Sequence, residues 1–186
     1  MAQSTKHALA ASLKVLLQKR NLDDITVKEL VEDCRVNRQT FYYHFQDIFD
    51  LLDWFLEREF SSILPESCTV ENWQEALLKI AHYVQNHYKL MLHIYSSGGQ
   101  QVINAQLDKL SLQLMYDVIR SSCDGLVVSE DDIYFVANFY KYAFTGLLAD
   151  WLSKGMREDP AGLVARAGVL MEGAFRESVE KFSTHQ

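Results

Sequence analysis

The residues from Arg38 to Phe45 carry the densest set of recognition-capable groups in the chain. Arg38, Gln39, Thr40, Tyr42, Tyr43 and His44 all offer hydrogen-bond donors, while Phe41 and Phe45 stand four positions apart, the spacing that puts two rings on one face of a helix. A helix anchored by those rings turns the other six side chains away from its packing face. Arginine can bond both major-groove acceptors of guanine, glutamine can bond adenine, and Thr, Tyr and His donors suit phosphate oxygens. A helix that serves packing alone rarely leaves so many donors exposed, so the chemistry implied is recognition of duplex DNA. Catalysis finds no matching pattern, because the sequence has no GxGxxG, phosphate-binding loop, HExxH, cysteine pair or nucleophile motif. No catalytic residue, metal or cofactor is expected. His82, His87 and His93 lack ligand-type spacing and read as surface or pocket-lining groups.

The donors need elements to hold them. Thr26-Val27-Lys28-Glu29 has the pattern of a capping box, in which the Thr hydroxyl and the Glu carboxylate satisfy each other's free backbone N–H groups. Val27, Leu30, Val31 and Cys34 give the short helix that follows a buried face, and Asn37 can cap a third helix running from about Arg38 to Phe45. Two short capped helices joined by a tight turn between Thr26 and Phe45 have helix-turn-helix spacing. Leu9, Leu13, Leu16 and Leu17 predict an amphipathic helix ahead of them, between Ser4 and Lys19.

Asp47 can cap a fourth helix, with Ile48, Leu51, Leu52, Phe55 and Leu56 inward, continuing toward Phe60 until Pro65 forbids more. After a break from Pro65 to Glu71, helices are expected over Trp73–Asn86, Lys89–Tyr95 and Val102–Ser121. Ser129 with Asp132 caps a long one reaching Leu152, stopped by Gly155. Asp159-Pro160 opens a last helix through Leu163, Ala167, Leu170, Met171 and Ala174 to about Phe182. The fold class is therefore all-α with about nine helices. A three-helix helix-turn-helix head (residues 1–46) precedes a C-terminal helical ligand-binding and dimerisation domain (residues 47–186).

Charge is distributed to match. The 186 residues carry a formal net charge of −7, yet residues 1–46 hold seven basic and five acidic groups. The excess of acid lies entirely beyond the head, compatible with a DNA-contacting head and a repelled body. No apolar run approaches the ~18 to 20 residues of a membrane span, and the N-terminus has no secretory pattern, so a cytoplasmic location without a membrane partner is expected. Cys34, Cys68 and Cys123 are widely spaced and read as reduced thiols, Cys34 completing an apolar stripe.

The run Val36-Asn37-Arg38-Gln39-Thr40-Phe41-Tyr42-Tyr43-His44-Phe45 closely resembles the recognition-helix signature of the tetracycline-repressor family, with the likeness covering roughly residues 4–56. The resemblance implies that Arg38, Gln39 and Tyr43 approach bases, that Thr26, Thr40, Tyr42 and His44 hold phosphates, and that Lys28 sits at the groove edge. It implies a homodimer joined through the last two helices on a double-stranded operator. It also implies an effector, a small molecule or a protein, whose binding alters the separation of the reading heads. The sequence further looks like the branch of activators of dihydroxyacetone kinase operons, where the effector is a kinase-like protein co-activator. An activator or adaptor working mainly through a protein partner is the alternative reading.

The chain departs from the family pattern in two places. Arg35 stands where glycine is common in the turn, so a left-handed backbone there carries strain. Gln46 and Ile48 stand where lysine often follows the recognition helix, which shifts phosphate binding onto the backbone N–H groups at the start of the fourth helix and predicts a shallow salt dependence.

The aromatic-rich C-terminal domain fits either a core or a ligand cavity, with Tyr83, His87, Tyr116, Phe139 and Tyr142 as candidate lining. For the dimer interface the candidates are Ala143, Gly146 and Leu147, then Ala167, Leu170, Met171 and Ala174, since small residues let helices approach closely.

Overall fold

The capping residues set the helix boundaries. In the computed structural model, which describes residues 2–65 and 67–183, Thr26 accepts from the N–H of Glu29 at 3.3 Å while the Glu29 carboxylate accepts from the N–H of Thr26 at 3.0 Å. Residue 1, Glu66 in the expected break, and residues 184–186 at the end of the expected second domain lie outside the described residues. The elements are α1 (Ala2–Leu17), a 3-10 turn (Leu22–Asp24), α2 (Val27–Asp33), α3 (Arg38–His44), α4 (Ile48–Ser61) and α5 (Trp73–Asn86). They continue with α6 (Tyr88–Tyr95), α7 (Gln100–Ser121), α8 (Glu130–Ser153), α9 (Pro160–Met171) and α10 (Ala174–Glu180). All regular structure among the described residues is helical. No helix among them is long and apolar enough to cross a membrane.

The expected last helix is two helices. Its apolar periodicity runs on past Met171, but Gly173 adopts φ 74°, a left-handed conformation that glycine takes without a Cβ penalty, and α10 begins after it. Gly173 is thus the hinge between α9 and α10, where an interior helix position was expected.

The chain divides into two compact units, Met1–Ser61 with His87–Gln106, and Ser62–Asn86 with Leu107–Gln186. In the first, Leu9, Leu13 and Leu17 of α1 are buried with Leu30 of α2, Phe41 of α3, and Leu51, Leu52 and Leu56 of α4. Leu90, Met91 and Ile94 of α6 join that core. Three polar links fasten α6 and the start of α7 to it. His93 Nδ1 meets the Leu17 carbonyl at 2.7 Å, the Gly98 N–H donates to Asp23 at 3.1 Å, and the Gln106 amide donates to Asp53 Oδ1 at 2.7 Å. Gly99 permits the close approach, because a Cβ there would lie 2.9 Å from the Ile94 side chain.

In the second unit Trp73 of α5 packs edge-on against Phe144 of α8 and Phe175 of α10, with ring centroids 5.3 and 5.7 Å apart. The Tyr140 hydroxyl lies 3.1 Å from the Ala174 carbonyl and 2.7 Å from the Ser178 hydroxyl. Lys141 is buried and pairs with Asp108 of α7 at 3.0 Å. Burial alone would lower its pKa, but the Asp108 carboxylate carries it above the ordinary lysine value.

Candidate nucleic-acid interface

The third helix is held by its aromatic side. Phe41 is fully buried and Phe45 nearly so, their ring centroids 5.9 Å apart. The opposite side is open: Arg38, Gln39 and Tyr42 are exposed, and Tyr43 is 80% exposed. His44 is half-buried, its ring edge-on to Tyr43 at 5.0 Å. At the start of the helix the Asn37 side-chain carbonyl accepts from the Thr40 N–H at 2.7 Å and from the Thr40 hydroxyl at 2.9 Å. One side chain thereby caps α3 and takes the hydroxyl proton of Thr40, a residue expected to hold a phosphate.

On α2 the Thr26 hydroxyl donates to Glu29 Oε2 at 3.0 Å, and Arg20 holds the same carboxylate at 2.6 Å. Arg20 first, then Thr26, keeps the Glu29 carboxyl below its usual range. Lys28 is exposed, 3.8 Å from Glu32. The turn between the helices closes through the Val36 N–H on the Val31 carbonyl at 2.9 Å, with Arg35 at φ 54°. The left-handed conformation that glycine would take without strain is present, and an arginine bears it.

The start of α4 corrects one expectation. Asp47 Oδ1 accepts from the N–H groups of Phe49 at 2.8 Å and Asp50 at 2.9 Å, and Asp50 accepts from the Gln46 N–H at 2.9 Å. The N–H groups of Phe49 and Asp50, among those expected to bind phosphate in place of the absent lysines, are occupied by a carboxylate that repels an anion.

Two family models match the chain. Bacterial regulatory proteins of the tetR family match over residues 9–53, and a TetR-type transcriptional regulator C-terminal region matches over residues 71–173. The chain belongs to the TetR family. It is a transcription regulator and not an enzyme. Among relatives of this TetR-family chain, the HTH-type dhaKLM operon transcriptional activator DhaS of Lactococcus lactis subsp. lactis (strain IL1403) is 29% identical over 83 residues. That alignment covers 45% of this chain and 44% of the relative, so it spans less than half the relative's length. A solved structure of a dihydroxyacetone kinase operon activator DhaS superposes with TM-score 0.67 at 19% identity, covering 97% of this chain and 98% of that one, and shares its fold.

In the second unit of this TetR-family regulator, the expected ligand-lining residues do not converge. Phe139 and Tyr142 stand 67% and 64% exposed on α8, which corrects their assignment to a cavity wall within the chain. Tyr116 is half-buried and donates to Glu130 at 2.8 Å, while Arg120 pairs with the same carboxylate. Tyr83 on α5 and His87, which precedes α6, are half-buried and belong to different units. Of the dimer candidates, Ala143, Gly146, Leu147 and Leu170 are exposed, whereas Met171 and Ala174 are half-buried. Ala167 is buried, so its small side chain serves packing inside the chain, correcting its place on an outer face.

The feature missed in the sequence is an open groove of about 850 Å³ between α5, α9 and α10, lined by Trp73, Gln74, Leu78, Val164 and Gly168 among others. At Gly168 the Gln74 side-chain amide fills the space a Cβ would take, a close approach that no sequence pattern marks.

Proposed function

We propose that this TetR-family regulator binds duplex DNA as a homodimer in the cytoplasm, each α3 entering a major groove of a roughly palindromic operator at centres about one helical turn, ~34 Å, apart. The observation that carries the reading is the two-sidedness of α3, with Phe41 and Phe45 buried beneath exposed Arg38, Gln39 and Tyr43. Arg38, Gln39 and Tyr43 take the base edges, and Thr26, Thr40, Tyr42 and His44 take phosphates with Lys28 at the rim. Residues 1–46 act as the reading head and residues 47–186 as the regulatory and dimerising part.

The dimer reading rests on α8, where Phe135, Phe139, Tyr142 and Gly146 follow at intervals of four, three and four and are all exposed. That spacing makes one continuous apolar stripe, and Val169 and Leu170 of α9 are also exposed. An effector bound by the C-terminal domain changes operator occupancy to the extent that it prefers one spacing of the heads. The relative's name, a transcriptional activator of an operon, supports activation as the form of that control. The carboxylates of Asp47 and Asp50 at the start of α4 favour a second reading, an adaptor with weak DNA affinity of its own.

Selection of genomic fragments by the purified protein tests the DNA reading. Enrichment of fragments sharing an inverted repeat is expected, and retention of all fragments at the non-specific level overturns it.

A further inference from the structure

The first unit contains a cation placed beside the recognition helix that the helix-turn-helix pattern does not include. Lys6, near the start of α1, sits with Nζ 5.2 Å from the ring centroid of Phe45 and 5.8 Å from that of Trp54. The two rings are themselves 6.0 Å apart, so α1, α3 and α4 meet around this ammonium group. Phe45 is the C-cap of α3, which fixes Lys6 at the C-terminal end of the reading helix. No carboxylate among the described residues pairs with it within 4.0 Å, in contrast to Lys14, whose Nζ meets Glu59 at 2.7 Å. Aromatic faces attract a cation without neutralising it, so the charge stays available to an anion.

Position decides which anion. A seven-residue helix is only about 10 Å long, and the major groove it enters is about 12 Å wide. Lys6 Nζ, 5.2 Å from the ring centroid of the residue that caps α3, therefore stands at that end of the helix, where the groove edge brings the strand backbone past. At the neighbouring start of α4, Gln46 brings no charge and the Asp47 carboxylate takes the N–H groups of Phe49 and Asp50.

We infer that Lys6, clamped over Phe45 and Trp54, supplies the DNA phosphate contact at the C-terminal end of the recognition helix. The inference rests on the DNA-binding reading above. A cation held on two rings loses less side-chain entropy on binding than a free surface lysine, since its stem is already ordered.

The test is binding of the full-length protein to a short random-sequence duplex, titrated over a range of salt concentrations. Wild type, Lys6→Met, Lys6→Arg and the control Lys181→Met are compared, with thermal melts to establish that each is folded. Each phosphate neutralised contributes about 0.9 to the slope of log affinity against log salt. Lys6→Met is expected to lower that slope by about 0.9, while Lys6→Arg and Lys181→Met keep the wild-type value. A folded Lys6→Met with the wild-type slope overturns the inference and leaves the DNA reading standing. A wild type with no salt-dependent duplex binding overturns both. Should Lys6→Met unfold, Lys6→Gln is measured instead with the same two outcomes.

Discussion

At Arg38 and Gln39 the difference between reading a base and holding a phosphate becomes measurable. Both side chains are exposed on α3, above a buried Phe41. Arg38→Ala should relax base preference at one operator position, costing about 1 to 3 kcal/mol there, in competition binding against base-substituted duplexes. Equal loss on every duplex would make Arg38 a phosphate group instead. Arg35 makes a separate prediction about stability. Its φ of 54° costs roughly 1 to 2 kcal/mol, and glycine removes that cost while adding about 0.4 to 1 kcal/mol of unfolded-state entropy. Arg35→Gly should therefore raise the unfolding free energy by a net of about 0 to 1.6 kcal/mol, read as a higher urea midpoint, and leave duplex affinity unchanged. This residue was legible in advance through the family resemblance, which puts glycine at that place in the turn. Lys6 was not, because its role depends on α1, α3 and α4 meeting around Phe45 and Trp54.

Helix ends decide how the head balances stability against DNA affinity. Asp47 caps α4 but places negative charge beside the expected path of the backbone. Asp47→Asn keeps a capping oxygen and removes the charge, so duplex affinity at low salt should rise with the melting temperature unchanged. Unaltered affinity would show that no phosphate approaches this terminus. The capping box of α2 has a pH signature. Arg20 and Thr26 depress the Glu29 pKa, so the stability it contributes is present above the unfolded value near 4.5 and is lost as pH falls through the lower folded value. Glu29→Gln preserves the box geometry without the charge, so its urea midpoint should lie below wild type at neutral pH and converge with it under acid. A gap that persists below that range would contradict the assignment. Most boundaries were legible because Thr26, Asn37, Ser129 and Asp159 all accept from the N–H groups their positions predict. The division at Gly173 was hidden, since the apolar repeat continues across it and only the backbone angle marks the break.

Over the whole molecule, exposure separates aromatic residues that composition cannot. Tyr140 and Phe144 are buried while Phe135, Phe139 and Tyr142 on the same helix are exposed, and a sequence rich in apolar residues on every face of α8 conceals which of them face outward. A charge in the exposed stripe should split the dimer: Phe139→Glu is expected to sediment as a folded monomer and to lose operator affinity, whereas a dimeric Phe139→Glu would move the interface elsewhere. The acidic body, which holds 20 acidic and 11 basic groups beyond residue 46, disfavours broad contact with DNA and leaves recognition to α3 and the few cations around it. The most direct measurement is selection of genomic duplex fragments with wild type and Arg38→Ala in parallel. Wild type should enrich an inverted repeat whose half-sites are centred about one helical turn apart, with Arg38→Ala tolerating more bases at one position in each half-site. Fragments retained by both proteins at a uniform, sequence-independent level would contradict recognition by the exposed face of α3.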